Sequence, residues 1–119
     1  MPIDALLETY YEGLDRRRGW EQPLADDFVF TAANGNVTTG KPAYVETIHR
    51  FQRVFETASV KHSIANQHTA CAVVTYVVVS PSGRTMPVDI AEVWTADEGR
   101  LTSLTIYYDT ARWNAFMAS

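Results

Sequence analysis

The sequence has little of what several functional classes require. Its 119 residues include a single cysteine, Cys71, so the chain can form neither an intramolecular disulfide nor a CxxC metal or redox motif. Its three histidines, His49, His62 and His68, form neither an HxH nor an HExxH pattern. Because no cofactor-binding motif is present either, we expect no metal and no cofactor.

Basic residues are also few. Ten Lys and Arg against 14 Asp and Glu give a formal charge of -4, which disfavours nucleic acid and anionic membranes as partners. No apolar run approaches the roughly 20 residues that cross a bilayer. The first residues, Met1 to Asp4, carry an acid where a signal peptide carries Lys or Arg. We therefore expect a cytoplasmic protein in which residues 1–119 form one domain.

Aromatic residues, in contrast, are plentiful. They make up 12% of the chain, including three tryptophans and six tyrosines. This is more polar-tipped ring area than the core of a small domain needs, and it is typical of a pocket or an interface.

Apolar spacing predicts two helices in the first half of the chain. One runs from Asp4 to Arg18, where three arginines close it as a solvated terminus. The second begins near Pro42 and presents Tyr44, Ile48 and Phe51 on one face. Between them, Asn34-Gly35 predicts a tight hairpin turn with two positive φ angles.

The second half of the chain favours strands. Residues 60–66, 70–80, 84–95 and 101–108 are rich in β-branched and aromatic side chains and are separated by Gly, Pro and Asp turns. The order predicts an α+β fold in which a curved antiparallel sheet wraps around two or three N-terminal helices. Such a sheet encloses a cone with an internal pocket.

Strand alternation singles out Glu92. It shares a strand face with Val88, Ile90 and Trp94, all apolar, and we expect Asp89 on the opposite face to meet solvent or a dimer partner. A second apolar row is formed by Leu104, Ile106 and Tyr108. Inside a cone, the pKa of the Glu92 carboxyl would rise. The alternative is a strand carboxylate paired with an arginine or a tyrosine hydroxyl.

Four short segments carry a family resemblance. Residues 24–30 (LADDFVF), 39–44 (TGKPAY), 92–101 (EVWTADEGRL) and 106–109 (IYYD) resemble the SnoaL-like branch of the nuclear transport factor 2-like superfamily, over nearly the whole chain. The resemblance implies an α+β cone, commonly dimeric through the outer sheet face. The superfamily includes ketosteroid isomerases, polyketide cyclases, epoxide hydrolases, dehydratases and domains without catalysis, so the fold alone selects no activity.

The resemblance also implies roles for individual residues. Matched to ketosteroid isomerase, Tyr10 and Glu92 take the positions that stabilise the enolate oxygen, but Ala32 stands where the proton-shuttling carboxylate would be. Matched to polyketide cyclases, Asp109 takes the position of the acid-base residue. Epoxide hydrolases of this fold need an Arg-x-Asp pair on a middle strand, and residues 72–76 (AVVTY) lack it.

These observations lead to one functional prediction with one alternative. The protein binds a small apolar molecule and, if it is catalytic, acts as a cofactor-free isomerase, cyclase or dehydratase by proton transfer on a carbonyl compound. Asp109 or His62 would be the base, with Glu92 and Tyr10 at the enolate oxygen. The predicted pocket wall consists of Trp20, Phe30, Tyr44, Trp94, Leu104, Ile106 and Tyr108. In the alternative, the cone is a non-catalytic binding or dimerisation domain.

Each site residue also has a structural reading. Asp109 can cap the last strand or pair with Arg112, Tyr10 can be a core aromatic, and His62 can be an ordinary sheet histidine. If the cone is only structural, Trp20, Trp94 and Tyr108 would fill it.

Overall fold

The computed structural model describes residues 2–119 as three helices around a six-stranded sheet. In chain order the elements are α1 (Ile3–Arg16), β1 (Leu24–Thr31), β2 (Val37–Thr39), α2 (Lys41–Phe51), β3 (Phe55–Ala65), β4 (Thr69–Val79), β5 (Thr85–Asp97), β6 (Arg100–Tyr107) and α3 (Thr110–Met117). No helix in this range has the length and apolar character needed to cross a membrane.

The predicted α+β architecture is confirmed, with two differences in detail. The sheet order is β2-β1-β6-β5-β4-β3, and β1 pairs with β6 in parallel, so the sheet is mixed and not wholly antiparallel. The third helix, α3, follows the sheet, whereas the sequence prediction placed the helices at the N-terminus. The sequence indicates this helix only weakly, because α3 has only eight residues. Its start is marked by Asp109, an N-cap whose side chain accepts a hydrogen bond from the Arg112 amide.

Helix α1 buries one face against the sheet. Its apolar stripe, at three- and four-residue steps, consists of Ile3, Leu6, Leu7, Tyr10 and Leu14. The helix ends where Arg17 adopts a left-handed conformation with φ 67°. Arg17 is exposed, as expected of this terminus, but its guanidinium also donates to the carbonyls of Gln52 at 2.7 Å and Phe55 at 2.8 Å. It thereby ties the end of α1 to the start of β3.

The hairpin at Asn34-Gly35 forms, but with a different turn from the predicted one. Only Gly35 has a positive φ, 88°, and its amide donates to the Ala32 carbonyl at 2.9 Å. The Asn34 side chain instead accepts a hydrogen bond from the Asn36 amide. The connection is therefore a three-residue loop that ends in a left-handed glycine.

The core lies between the inner face of the sheet and the helices. Strands β4 and β5 alternate strictly, with the even-numbered residues from 70 to 80 and from 88 to 96 buried. Helices α1 and α2 pack on this face. Strand β3 lies at the sheet edge, and most of its residues beyond Phe55 are exposed. The covered part of the sheet is thus where a cavity can form.

Candidate active site

A cavity of about 230 Å³ lies between the inner sheet face and helices α1, α2 and α3. Its lining residues are Tyr10, Phe30, Ala32, Tyr44, Thr47, Ile48, Phe51, Tyr76, Ile90, Glu92, Leu104, Ile106, Tyr108 and Trp113. The buried members form the floor, and the partly exposed members mark the mouth: Ala32, Thr47, Phe51, Ile106, Tyr108 and Trp113. The cavity is therefore apolar, entered beside α3, and suited to a small ligand.

A larger depression, about 580 Å³, lies elsewhere between α1 and strands β3 and β4. It is an open groove with the acidic residues Asp4, Glu8 and Glu12 along its α1 side. We place the candidate site in the smaller cavity because that one lies inside the fold and contains a buried ionisable group.

Glu92 is that group. Strand alternation brings its side chain inward, and it is only 5% exposed. The Tyr11 hydroxyl donates to Oε1 at 2.5 Å, and the Tyr76 hydroxyl donates to Oε2 at 2.9 Å. Of the pairings considered from the sequence, the structure shows the one with tyrosine hydroxyls.

The environment of Glu92 holds its carboxyl close to half-ionised at neutral pH. Burial raises its pKa from 4.5 to about 7, because removal from water disfavours the charged form. The hydrogen bonds from Tyr11 and Tyr76 favour the ionised form and lower the pKa, but less than burial raises it. A pKa near the working pH is what a general acid or base requires.

Tyr11 contacts Glu92, and the sequence analysis did not predict this contact. Its hydroxyl also accepts a hydrogen bond from Trp94 Nε1 at 2.9 Å, so it joins α1 to strand β5 through both Trp94 and Glu92. The sequence favoured its neighbour Tyr10, which lies on the same apolar face of the helix. Burial is the main cause that raises the pKa of the Tyr11 hydroxyl, which therefore remains a donor.

Tyr10 and Tyr44 form a second polar feature in the cavity. Their hydroxyl oxygens lie 2.7 Å apart, and both side chains are buried. Since one hydroxyl donates to the other, the second hydroxyl keeps its hydrogen for another acceptor. Burial raises the pKa of both hydroxyls, so both stay protonated. The pair can donate one hydrogen bond to a ligand oxygen.

The two residues predicted as the base lie outside the cavity. Asp109 is exposed at the start of α3, where its Oδ1 accepts from the Arg112 amide at 3.0 Å. His62 is exposed on the edge strand β3. It does not point inward, because a register irregularity between Val60 and His62 pairs it with Val73, whose side chain lies on the outer face of the sheet. Glu92 is left as the carboxyl that lines the cavity.

The predicted pocket wall is largely in place. Phe30, Tyr44, Leu104, Ile106 and Tyr108 line the cavity. Trp94 and Trp20 do not: both are buried behind it, with ring centroids 4.7 and 6.2 Å from that of Tyr10.

Sequence reasoning missed Tyr76, Phe51 and Trp113 as lining residues. The strict alternation of β4 could have identified Tyr76, while Phe51 was recognised only as part of a helix face. Within residues 2–119, no three His, Cys, Asp or Glu side chains come together in a way that could hold a metal ion.

Comparisons with known proteins agree with this architecture. The model of the SnoaL-like domain matches residues 7–104. No curated protein sequence matches significantly. Among solved structures, the chain resembles TerC co-crystallised with polyporic acid, at 18% identity over 100% of both chains and a TM-score of 0.88.

Two further structures show the same fold. A candidate polyketide cyclase of Xanthomonas campestris is 22% identical over 96% of this chain and 95% of that one, with a TM-score of 0.80. A protein of Catenulispora acidiphila with a ketosteroid isomerase-like fold, in complex with trimethylamine, is 14% identical. The match covers 95% of this chain and 92% of that one, with a TM-score of 0.78. Identities this low support the fold and not an activity. With the family model matching most of its length, the chain belongs to the SnoaL-like domain family.

Proposed function

We propose that the protein binds a small apolar carbonyl compound in the cavity and transfers a proton on it through Glu92, without a cofactor. The observation that carries this proposal is a buried carboxyl with a pKa of about 7 at the floor of an apolar cavity. The reaction class is that of an isomerase, cyclase or dehydratase.

Glu92 and the Tyr10–Tyr44 pair have different roles in the proposed reaction. Ionised Glu92 removes a proton from the carbon next to the carbonyl, and the C–H electron pair moves to form the enolate. The free hydrogen of the Tyr10–Tyr44 pair is donated to the enolate oxygen. Protonated Glu92 then returns the proton to carbon or to a leaving hydroxyl. General base catalysis and oxygen stabilisation each contribute on the order of 10²-fold or more.

This assignment changes the roles expected from the sequence. Glu92 takes the part of the base in place of Asp109 or His62, and Tyr44 joins Tyr10 at the enolate oxygen. Without Asp109 and His62, Glu92 is the one acid-base group in the proposed mechanism. One such group is sufficient for a reaction in which the same proton is taken up and returned.

The alternative is a binding protein without catalysis. It is favoured by a specific observation: among residues 2–119, Glu92 is the only Asp, Glu, His or Lys side chain that lines the cavity, so no second acid or base assists it. Relatives of this fold crystallised with polyporic acid or trimethylamine support small-molecule binding under either proposal.

A homodimer through the outer sheet face also belongs to this proposal. That face exposes apolar side chains of Ile64, Val93 and Tyr107, with Ile64 79% exposed. Sedimentation equilibrium of the wild type and of Ile64→Lys tests it: a dimer that dissociates in the variant supports the proposal, and a monomeric wild type contradicts it.

The free thiol of Cys71 is compatible with a reducing compartment such as the cytoplasm.

A base-sensitive probe tests the catalytic role of Glu92 directly. A nitrobenzisoxazole is small, neutral and apolar; loss of its C–H proton to a base breaks the N–O bond and releases a coloured cyanophenolate. We expect wild-type turnover to rise with pH through about 7, as Glu92 ionises, and Glu92→Gln to lose about 10²-fold or more.

The matched control is Asp89→Asn, which changes an exposed carboxylate on the same strand and should leave turnover unchanged. Wild-type turnover that equals that of Glu92→Gln at every pH would leave only the binding alternative.

A further inference from the structure

The cavity contains a buried carboxyl without a counter-ion. Among residues 2–119, no lysine, arginine or histidine lines the cavity. The titratable groups that act on Glu92 are tyrosines: Tyr10 and Tyr11 from α1, Tyr44 from α2 and Tyr76 from β4. Buried charges in proteins are normally paired. An ionised Glu92 therefore needs a cationic partner, and the lining residues do not supply one.

The rest of the wall favours positive charge as well. Seven of the 14 lining residues are aromatic: Tyr10, Phe30, Tyr44, Phe51, Tyr76, Tyr108 and Trp113. At the mouth, the ring of Phe51 lies 6.3 Å from that of Trp113, which in turn lies 5.7 Å from Tyr108. Aromatic rings attract cations through their negative faces, and most strongly where the site excludes water.

We propose that the cavity binds a protonated amine on a compact apolar body, with its ammonium group paired to ionised Glu92. This binding activity goes beyond the proposed proton transfer and does not depend on it. The two compete for the same carboxylate, so a bound amine is expected to inhibit the transfer.

Charge decides which ligands fit. A carboxylate or phosphate ligand would be placed beside Glu92 without any cationic side chain to neutralise it. A neutral ligand of the same shape gains the apolar contacts but leaves Glu92 unpaired. An ammonium group supplies the missing charge, and both Glu92 oxygens retain their tyrosine donors because a carboxylate accepts several hydrogen bonds.

Proton linkage gives the proposal a distinctive pH dependence. The amine binds the ionised form of Glu92, which is about one tenth of the protein one pH unit below its pKa of about 7 and most of it one unit above. Affinity should therefore rise about tenfold between about pH 6 and about pH 8, while an aliphatic amine remains protonated throughout.

Three probes of similar size test the proposal by calorimetry: benzylammonium, benzyl alcohol and benzoate. We expect benzylammonium to bind about tenfold more tightly at about pH 8 than at about pH 6. Benzyl alcohol should bind more weakly than the amine and without pH dependence, and benzoate should not bind. Glu92→Gln should lose the pH dependence and the preference for the amine while it still binds benzyl alcohol. Glu8→Gln, which changes an exposed carboxyl outside the cavity, is the matched control.

Several results would overturn the proposal: binding of benzyl alcohol as tight as that of benzylammonium at about pH 8, no binding of the amine, or a pH dependence that persists in Glu92→Gln. If that variant does not fold, Tyr76→Phe replaces it. Loss of this hydrogen bond raises the pKa of Glu92, so the rise in amine affinity should move to higher pH. A rise that stays in place contradicts the proposal.

Failure of this inference can be told apart from failure of the proposed function. Turnover of the nitrobenzisoxazole without amine binding overturns only the amine site. Amine binding without turnover overturns only the proton transfer.

Discussion

Two carboxylates of strand β5, Asp89 and Glu92, lie in opposite environments. They are three residues apart, an odd spacing that turns one outward and the other inward. Exposed Asp89 accepts from the Thr75 hydroxyl at 2.6 Å and from Lys61 at 3.1 Å, and these contacts lower its pKa. Burial raises the pKa of Glu92 to about 7. One strand thus holds an ordinary surface acid and a group suited to proton transfer.

The difference between the two residues arises mainly from burial, because the partners of both carboxylates lower the pKa and only Glu92 is buried. Asp89 has a nearby cation, whereas Glu92 is held only by tyrosine hydroxyls from α1 and β4. The Thr75 hydroxyl is the largest cause that lowers the pKa of Asp89, ahead of Lys61, whereas at Glu92 burial outweighs both hydroxyl donors and raises the pKa. The two carboxyls should therefore couple to protein stability with opposite signs.

The largest effect is expected for Glu92→Gln. The unfolded chain releases the Glu92 proton near pH 4.5, whereas the folded protein keeps it up to about pH 7, so stability falls as pH rises through this window. The full loss amounts to about 3 kcal/mol. Relative to the variant, the wild type should lose about this much between the two ends of the window, measured by urea unfolding.

The control for this measurement is Glu8→Gln, which makes the same chemical change at an exposed position of α1. Its stability should follow the wild type across the window. Unfolding curves in which Glu92→Gln also stays parallel to the wild type would mean that burial does not raise the pKa of Glu92.

The next largest effects concern the two tyrosine donors. Tyr76→Phe and Tyr11→Phe each remove one hydrogen bond to Glu92, at a cost of about 1–3 kcal/mol above pH 7, where the carboxyl is ionised. Tyr11→Phe should cost more, because it also leaves Trp94 Nε1 without its acceptor. Both variants should raise the pKa of Glu92, measured from the infrared absorption of the protonated carboxyl. A lowered pKa in either variant would show that these hydroxyls do not stabilise the ionised form.

A third carboxylate, Asp109, tests whether an exposed acid can have a purely structural role. As the N-cap of α3, it should tolerate Asp109→Asn, since asparagine caps equally well, whereas Asp109→Ala should cost about 1 kcal/mol. Urea unfolding of the two variants gives the comparison. Equal destabilisation by Asn and Ala would mean that the charge of Asp109, and not its capping bond, is what matters.

Much of the fold could be predicted because it depends on local periodicity. The inward row of Val88, Ile90, Glu92 and Trp94 follows from strand alternation, and the buried face of α1 follows from helical spacing. The sequence analysis missed contacts between segments that are distant along the chain. That Tyr11 and Tyr76 meet Glu92 depends on contacts 81 and 16 residues apart along the chain, which no local pattern encodes.

The two residues predicted as the base, Asp109 and His62, lie outside the cavity for related reasons. His62 has an inward parity if the strand is counted without interruption, but a register irregularity between Val60 and His62 turns it to the outer face. Asp109 was matched by family resemblance to the end of the last strand, where the chain instead begins α3. Residue spacing alone shows neither a register irregularity within a strand nor the start of a helix directly after one.

The smallest effect, and the one with the opposite sign, is expected for Asp89→Asn. Because its folded pKa lies below its ordinary value, Asp89 stabilises the protein when ionised, and this contribution is lost as pH falls through the folded pKa. The variant should match the wild type in the slope between pH 4.5 and about 7 that Glu92→Gln removes, and it should differ from the wild type only at lower pH. Urea unfolding at low and high salt measures the difference, which salt should weaken, since the Lys61–Asp89 pair is exposed. If Asp89→Asn instead removed the slope that we assign to Glu92, the inner and outer faces of β5 would not differ in the way that their contacts indicate.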